Sequence, residues 1–542
     1  MPKQIVLLSG NISSGKSTLS NLLQEQFGLH VLKTKKVIQN IFLQKLGREI
    51  ENERRAMQKF GDSLDKETRG RWVRDALSRL IRDLGSAGTE ARIVVDAVRI
   101  LEQIRAVRQA YSFSVVHVHL KAPSEILDKR YKRRHVAGFK ELASFSEAEK
   151  NKTESRVKEL EDAADFVIDT SRCLAQAVLV RAATHLGLYA RAYDRRVDLV
   201  VGGQYGSEGK GHITSYISRD YSVLVRVGGP NAGHKVFQEP DPYTHHQLPS
   251  GTSRNPTAKL ILAPGCVLNA EKLMEEIAKY GVTSERLSID PQAMIISKTD
   301  IRGEAELVKR IGSTGQGVGF ASARRIRDRG GRVILAKDVP DLMPFVRDSW
   351  TILEEAYRRN DSVLVEGTQG AGLSLYHGTY PHVTSRDTSV AGCLSEAGIP
   401  PSRVRKVVMV VRTYPIRVES PKKATSGPMD LEIDWKTISS RSRIPLDQLK
   451  TTEKTTTTAR KRRVGEFDWA LLRRAAALNG PTDLALTFVD YLNRKNEKAR
   501  RYDQLDGEAK EFIVEVERVG AAPVSLISTR FDFRSIIDRR AW

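Results

Sequence analysis

The chain has 542 residues, 40% of them hydrophobic, and a formal net charge of +22. That length exceeds one ordinary domain, so two or three are expected, and no apolar run approaches the roughly 20 residues that would span a membrane. Three cysteines, Cys173, Cys266 and Cys393, with no CxxC pair, argue against a disulfide framework or a structural metal and for a reduced, cytoplasmic setting. The charge excess is even: residues 1–195 carry 35 Lys/Arg against 24 Asp/Glu, and the remainder 53 against 42. Such a balance suits anionic nucleotide ligands. Nucleic-acid binding is the rival reading, but no zinc-finger, RRM or basic-zipper signature is present. The N-terminus leads into a predicted strand, residues 5–8 (IVLL), without a signal-peptide pattern. Residues 10–17 (GNISSGKS) fit GxxxxGKS, and a helical pattern starts at residues 18–23. Strand, loop and helix in that order form the context of a phosphate loop. Backbone amides from Gly10 to Gly15 and at Thr18 would hold phosphates, Lys16 would reach the outer ones, and the Ser17 hydroxyl would ligate Mg²⁺.

Residues 93–96 (IVVD) read as a buried strand ending in an acid. Asp96 is the candidate carboxylate that orients Mg²⁺ through water, or else a helix cap. Arg99 lies within reach of an acceptor phosphate. A further strand, residues 115–120, precedes the basic run at 129–134 (KRYKRR), which is either a phosphate-clamping lid or a solvated helix face. Residues 166–169 (FVID) form the predicted last strand of a parallel sheet with helices on both faces. This first domain, residues 1–186, resembles the nucleoside monophosphate kinase and dephospho-CoA kinase branch of phosphate-loop proteins. Residues 175–186 read as its closing helix and 187–196 (GLYARAYDRR) as a linker.

A second organising stretch follows. The apolar run 197–201 (VDLVV) enters a loop at 202–212 (GGQYGSEGKGH), then a predicted helix at 213–217. Glycines allow close backbone approach to an anion, and Lys210 supplies charge. The spacing differs from GxxxxGK[ST]. Residues 228–235 (GGPNAGHK) place Asn231, Gly233 and His234 on a tight turn. Later come residues 248–251 (LPSG), 312–319 (GSTGQGVG), 366–370 (EGTQG), 377–385 (HGTYPHVTS) and 455–468 (TTTTARKRRVGEFD).

From about residue 197 onward, the order of these motifs resembles the adenylosuccinate synthetase family, with its QWGDEGKGK and GGxNAGH loops. The resemblance implies an α/β synthetase-like domain over residues 197–542. It also implies a two-step reaction. The γ-phosphoryl group of ATP or GTP moves to the 6-oxygen of a purine monophosphate, and the amine of L-aspartate then displaces it. Gly206, Glu208, Gly209 and Gly211 with Lys210 would hold phosphate; Ser207 and the Gly233 carbonyl would meet Mg²⁺. His234 and Gln369 would act at the purine 6-oxygen. Asn231, Thr314 and Thr384 would hold the acceptor nucleotide. Thr456, Thr457, Thr458, Arg460 and Arg462 would grip aspartate, a bidentate task suited to guanidinium. Family members work as dimers, and a partner arginine would come from near Arg327 and Arg329.

The departures are informative. Ser207 stands where the family has an aspartate that serves as base and metal ligand. In this the chain resembles the phage-associated 2-aminoadenylosuccinate synthetases, which act on dGMP. Phe488 replaces the lysine of the guanine-reading TKLD element, although Asp490 persists, and residues 528–532 (STRFD) depart from STGPD. An adenine nucleotide is therefore compatible as donor. The resulting expectation is a nucleotide kinase fused to a synthetase-type ligase; the alternative is a nucleotide sensor with an impaired synthetase domain.

Overall fold

A computed structural model describes residues 2–50, 53–133, 141–149, 156–191, 193–237, 242–331, 333–454 and 460–542. The chain divides into two compact units, Met1–Tyr189 and Ala190–Trp542.

The first unit is built on a five-stranded parallel sheet in the order His30–Leu32, Arg92–Val95, Gln4–Gly10, Val115–Lys121, Phe166–Asp169. The apolar run after Gln4 is explained by burial on both faces. Ile5 and Leu7 point into one core, with Leu64, Trp72, Leu77 and Ile104 from helices Arg54–Thr68, Arg71–Asp83 and Leu101–Tyr111. Val6 and Leu8 point into the other, with Leu19 and Leu23 from helix Lys16–Phe27 and Val178 and Leu179 from helix Ala175–His185. The edge strand His30–Leu32 was not separable in the sequence: three residues are too few to show alternation.

The second unit carries a nine-stranded sheet. Its order is Leu287–Ile289, Lys259–Leu262, Val223–Arg226, Val363–Glu366, Val197–Gly202, Val404–Arg412, Asp483–Thr487, Val524–Ser528, Ile536–Asp538. All neighbours are parallel except the last pair. Val197–Gly202 sits at the centre and is buried throughout. Its one charged residue, Asp198, is satisfied by Arg405 and by the Tyr221 hydroxyl at 2.7 Å. The carboxyl ends of the central strands open onto the loops that carry the motifs, the usual place for ligands in open α/β sheets.

Candidate functional site: two phosphate loops, each over its own cavity

Both glycine-rich loops end in the same local device. Gly15 (φ 102°) and Gly209 (φ 86°) occupy the left-handed region directly before helices Lys16–Phe27 and Lys210–Ile217. Each turn thereby aims a helix N-terminus at the loop, where amide hydrogens and the helix dipole favour an anion.

In the first unit, Ser17, Thr18, Lys16 and Gly15 line a cavity of about 960 Å³, together with Asp96 and Arg99. Lys16 Nζ donates to the carbonyls of Gly10 (2.6 Å) and Asn11 (2.8 Å). Gly10 itself does not line the cavity. A Cβ there would fall 2.1 Å from the Leu120 carbonyl, so Gly10 serves the packing of loop on sheet. Asp96 Oδ1 accepts the backbone N–H and hydroxyl of Thr34, both at 2.8 Å, at the start of helix Thr34–Leu46. Asp96 thus caps a helix while also lining the cavity. Of the basic run, Arg130 reaches the cavity, tied to the Thr170 hydroxyl and carbonyl at 2.8 and 2.7 Å. Lys132 pairs with Asp128 on the exposed side of helix Ser124–Lys132, and Arg134 lies outside the described residues.

In the second unit, Gly206, Ser207, Gly209, Lys210 and Gly211 line a cavity of about 520 Å³. Asn231, Gly233, His234, Thr314, Gln369 and Thr384 line it too, as do Arg462 and Asp490. Most residues expected from scattered motifs therefore meet in one space. Glu208 does not belong to its lining. The carboxylate is fully buried; it accepts the amides of Gln204 (3.0 Å) and Gly206 (2.7 Å) and pairs with Lys210 at 2.7 Å. The Glu208 side chain therefore shapes the loop and orients the lysine. Arg460 donates to the carbonyls of Gly312 (3.3 Å) and Ser313 (3.4 Å) and is likewise not part of the lining. Thr456, Thr457 and Thr458 lie outside the described residues.

His234 is held from behind. Gly211 approaches so closely that a Cβ would fall 2.6 Å from the His234 Cβ. Nδ1 meets the Glu366 carboxylate in a short hydrogen bond, with Arg226 at 2.7 Å and the Ser250 hydroxyl at 3.2 Å. Nε2 is buried and has no hydrogen-bond partner among the described residues. Burial, then Arg226, lower the His234 pKa to about 4 despite Glu366. Glu366 is held well below the usual carboxylate range: Arg226 and His234 outweigh its burial. Beside the Glu366 carboxylate the neutral ring carries its hydrogen on Nδ1 and donates it there, so Arg226 donates to Glu366 (2.9 Å) and makes no hydrogen bond to that nitrogen. Gln369 sits at φ 57°, its Oε1 accepting from Thr368 at 2.7 Å, and Thr314 bonds Asn231 at 3.0 Å.

Sequence reasoning missed a buried ionic frame under this cavity. Glu453 accepts from Arg412 (3.0 Å), Arg462 (2.8 Å) and the Tyr491 hydroxyl (2.7 Å). Burial raises its pKa, but the two arginines prevail and bring it to about 2. Arg412 also donates to the Ser207 carbonyl at 3.3 Å and stacks 3.9 Å over the Phe488 ring. The arginine at the end of the apolar strand Val404–Arg412 was the available signal. Asp490 is half-buried; its Oδ1 is enclosed and lacks a partner among the described residues, and burial pushes its pKa up to about 8. His212 stacks on Phe533 (5.0 Å) and packs tilted against Phe531 (4.9 Å), so the departing 528–532 loop adds an aromatic wall.

Among the described residues no three His, Cys, Asp or Glu cluster as a metal site. The oxygens at Ser207 and Gly233 line one cavity, and Ser17 lines the other. Such hard but sparse donor sets suit Mg²⁺, which keeps waters and substrate phosphates in its shell.

Taken together, the two loops and their sheets define a phosphate-loop unit followed by a nucleotide-dependent ligase unit. A model of the adenylosuccinate synthetase family matches residues 199–338 and 335–497, and one described as an AAA domain matches residues 5–161. The adenylosuccinate synthetase of Pyrococcus sp. (strain ST700) is 38% identical over 350 residues, which cover 63% of this chain and 98% of that one. The Methanocaldococcus jannaschii enzyme is also 38% identical, over 351 residues, covering 63% and 96%. Among solved structures, the cyanophage S-2L succinoaminodeoxyadenylate synthetase (PurZ), bound to dGMP and to dATP as an energy donor, is 28% identical. Its TM-score is 0.54, over 64% of this chain and 96% of that one. The Plasmodium falciparum adenylosuccinate synthetase shares the fold, with a TM-score of 0.55 at 22% identity, over 64% of this chain and all of that one. The chain belongs to the adenylosuccinate synthetase family. It is a synthetase-type ligase of purine biosynthesis preceded by a kinase-like unit, and no described helix is long and apolar enough to cross a membrane.

Proposed function

We propose that the second unit joins L-aspartate to C6 of a guanine monophosphate, GMP or dGMP, in preference to IMP. It would use an adenine nucleoside triphosphate by preference. The first unit transfers a phosphoryl group through its own loop. The observation that carries the acceptor reading is Ser207, a short neutral side chain in the same cavity as Lys210, His234 and Gln369. An aspartate there would crowd the 2-amino group of guanine. A serine is shorter and can accept a hydrogen bond, worth about 1 kcal/mol. Relief of the clash adds to that. The co-crystallised dGMP and dATP of the cyanophage relative support the same pairing.

In the first step the purine 6-oxygen attacks the γ-phosphorus, the bond from that phosphorus to the β-phosphate oxygen breaks, and the purine N1 proton passes to water. Lys210 and the loop amides meet the phosphate charge. His234 Nε2 donates a hydrogen bond at the 6-oxygen only as imidazolium. Glu366 stabilises that state, while burial and Arg226 oppose it. In the second step the aspartate nitrogen bonds to C6, the C6–O bond breaks, phosphate leaves and the amine gives up a proton. Arg462 presents a guanidinium to the aspartate carboxylates, anchored by Glu453. Ser207 and Gly233 would hold Mg²⁺, which would supply charge neutralisation when bound.

The test is kcat/KM for GMP, dGMP and IMP with aspartate and ATP, products read by mass spectrometry, in the wild type and in Ser207→Asp. Guanine acceptors should lead by about tenfold in the wild type, and the substitution should move preference toward IMP. A wild type that favours IMP tenfold would refute the acceptor while leaving the ligase class in place.

A further inference from the structure

The phosphate loop occupies one part of the first unit's cavity; helix Arg54–Thr68 walls another. Its Gln58, Asp62 and Asp65 stand at positions i, i+4 and i+7, which share one helix face, and all three line the cavity. Gln58 Nε2 is buried without a partner among the described residues. Asp65 is fixed in orientation. Its Oδ1 accepts from Trp72 Nε1 (2.6 Å) and Gln103 Nε2 (2.8 Å), and Gln103 Oε1 in turn accepts the Arg99 amide at 2.8 Å. Among the described residues both bonds fall on Oδ1, so a ligand can meet Oδ2. Burial raises the Asp65 pKa, with Asp62 adding to the rise against the two hydrogen bonds. An N–H donor from a ligand would relieve Asp65. Lys36 and Arg99 bring positive charge to the cavity lining, and Ile38, Met57 and Trp72 bring apolar surface.

One amide donor and two carboxylate acceptors in a row complement an edge that presents acceptor, donor, donor. Guanine has that edge in O6, N1–H and the 2-amino group. Adenine turns a lone pair toward the central carboxylate, hypoxanthine lacks the 2-amino group, and thymine flanks its single N–H with two carbonyls. We propose that this wall binds the base of a guanine nucleoside monophosphate, Gln58 donating to O6, Asp62 accepting from N1–H and Asp65 from the 2-amino group. The nucleotide is the phosphoryl acceptor of the Lys16 loop. This rests on reading the first unit as a kinase. An oxygen of the acceptor phosphate attacks the γ-phosphorus of a nucleoside triphosphate, the bond to the β-phosphate oxygen breaks, and two nucleoside diphosphates leave. With a dianionic acceptor phosphate no proton need move.

The full chain, given ATP and no aspartate, is assayed with GMP, IMP, AMP and dTMP, nucleoside diphosphate being separated by chromatography and Lys16→Ala marking the dependent fraction. GMP should exceed IMP about tenfold in kcat/KM. Asp65→Asn retains an acceptor for Trp72 and Gln103, and should bring the two within about threefold while leaving the KM for ATP unchanged. Gln58→Glu, which replaces the donor with an acceptor, should depress GMP use independently. Equal use of GMP and IMP by the wild type, a ratio that survives Asp65→Asn, or better transfer to AMP or dTMP overturns the base assignment and leaves the kinase reading standing. No Lys16-dependent diphosphate from any nucleotide removes both.

Discussion

Asp490, which the family resemblance assigns to the donor base, lines the ligase cavity as a half-buried residue with an enclosed Oδ1, and burial pushes its pKa up to about 8. Its charge state decides which base it complements. A neutral carboxyl donates to a ring nitrogen and accepts an amino hydrogen, which fits adenine. An ionised one only accepts, which fits guanine's N1–H and amino group. The preference therefore follows pH with a defined sign. Below about 8 the neutral form dominates and ATP is favoured; as pH rises through 8 that form is lost. The ATP:GTP ratio of kcat/KM should be flat at pH 6.5–7.5 and fall by up to about tenfold per pH unit beyond 8. Asp490→Asn keeps one donor and one acceptor at all pH values, so it should retain ATP use and flatten the profile. A wild-type ratio that does not move between pH 7 and 9.5 would sink the assignment.

At the scale of the element, two phosphate loops on two sheets should act separately, because each lysine is held by its own loop: Lys16 by Gly10 and Asn11, Lys210 by Glu208. Losing one charged donor to a transferring phosphoryl group typically costs about 10²–10³ in kcat. Lys16→Ala should cost that in the first unit and leave aspartate ligation near wild type; Lys210→Ala should do the opposite. A folded Lys16→Ala protein that has also lost ligation would show the sites to be one machine. Both loops were legible because strand, glycine turn and helix are local events read over a dozen residues. What was not legible is non-local. Glu453 finds Arg412 from 41 positions away, and Glu366 finds His234 from 132. Nothing in either neighbourhood marks the pair. The same limit applies to Glu208, Gly10 and Arg460, expected as phosphate or aspartate contacts and found outside the cavity linings. Motif membership places a residue in a loop, but only packing decides whether its side chain faces a cavity or supports the residue that does.

For the whole molecule, the buried histidines set the response to acid. Burial lowers His117 and His119 in the first unit, and His212 and His234 in the second, to about 4, and His245 to about 3. Unfolded, each would titrate near 6.5. Between those values the unfolded chain binds protons that the folded chain refuses, so stability is full above pH 6.5 and is lost as pH falls toward 4. The first unit gives a separable case. Ser9 Oγ bonds His117 at 2.6 Å and His119 at 2.9 Å inside the sheet core, so protonating either ring places charge against a hydroxyl already shared between them. The carboxylates held by arginines lose their contribution only at lower pH. Glu453 at about 2 is one such group, so acid unfolding should begin with the histidines. Calorimetry from pH 7.5 to 4.5 should show Tm steady above 6.5 and falling steadily below it. His117→Asn with His119→Asn should flatten that fall for the transition of the first unit and leave that of the second. A Tm that holds constant down to pH 5 in the wild type would mean these rings titrate normally and are not buried as described.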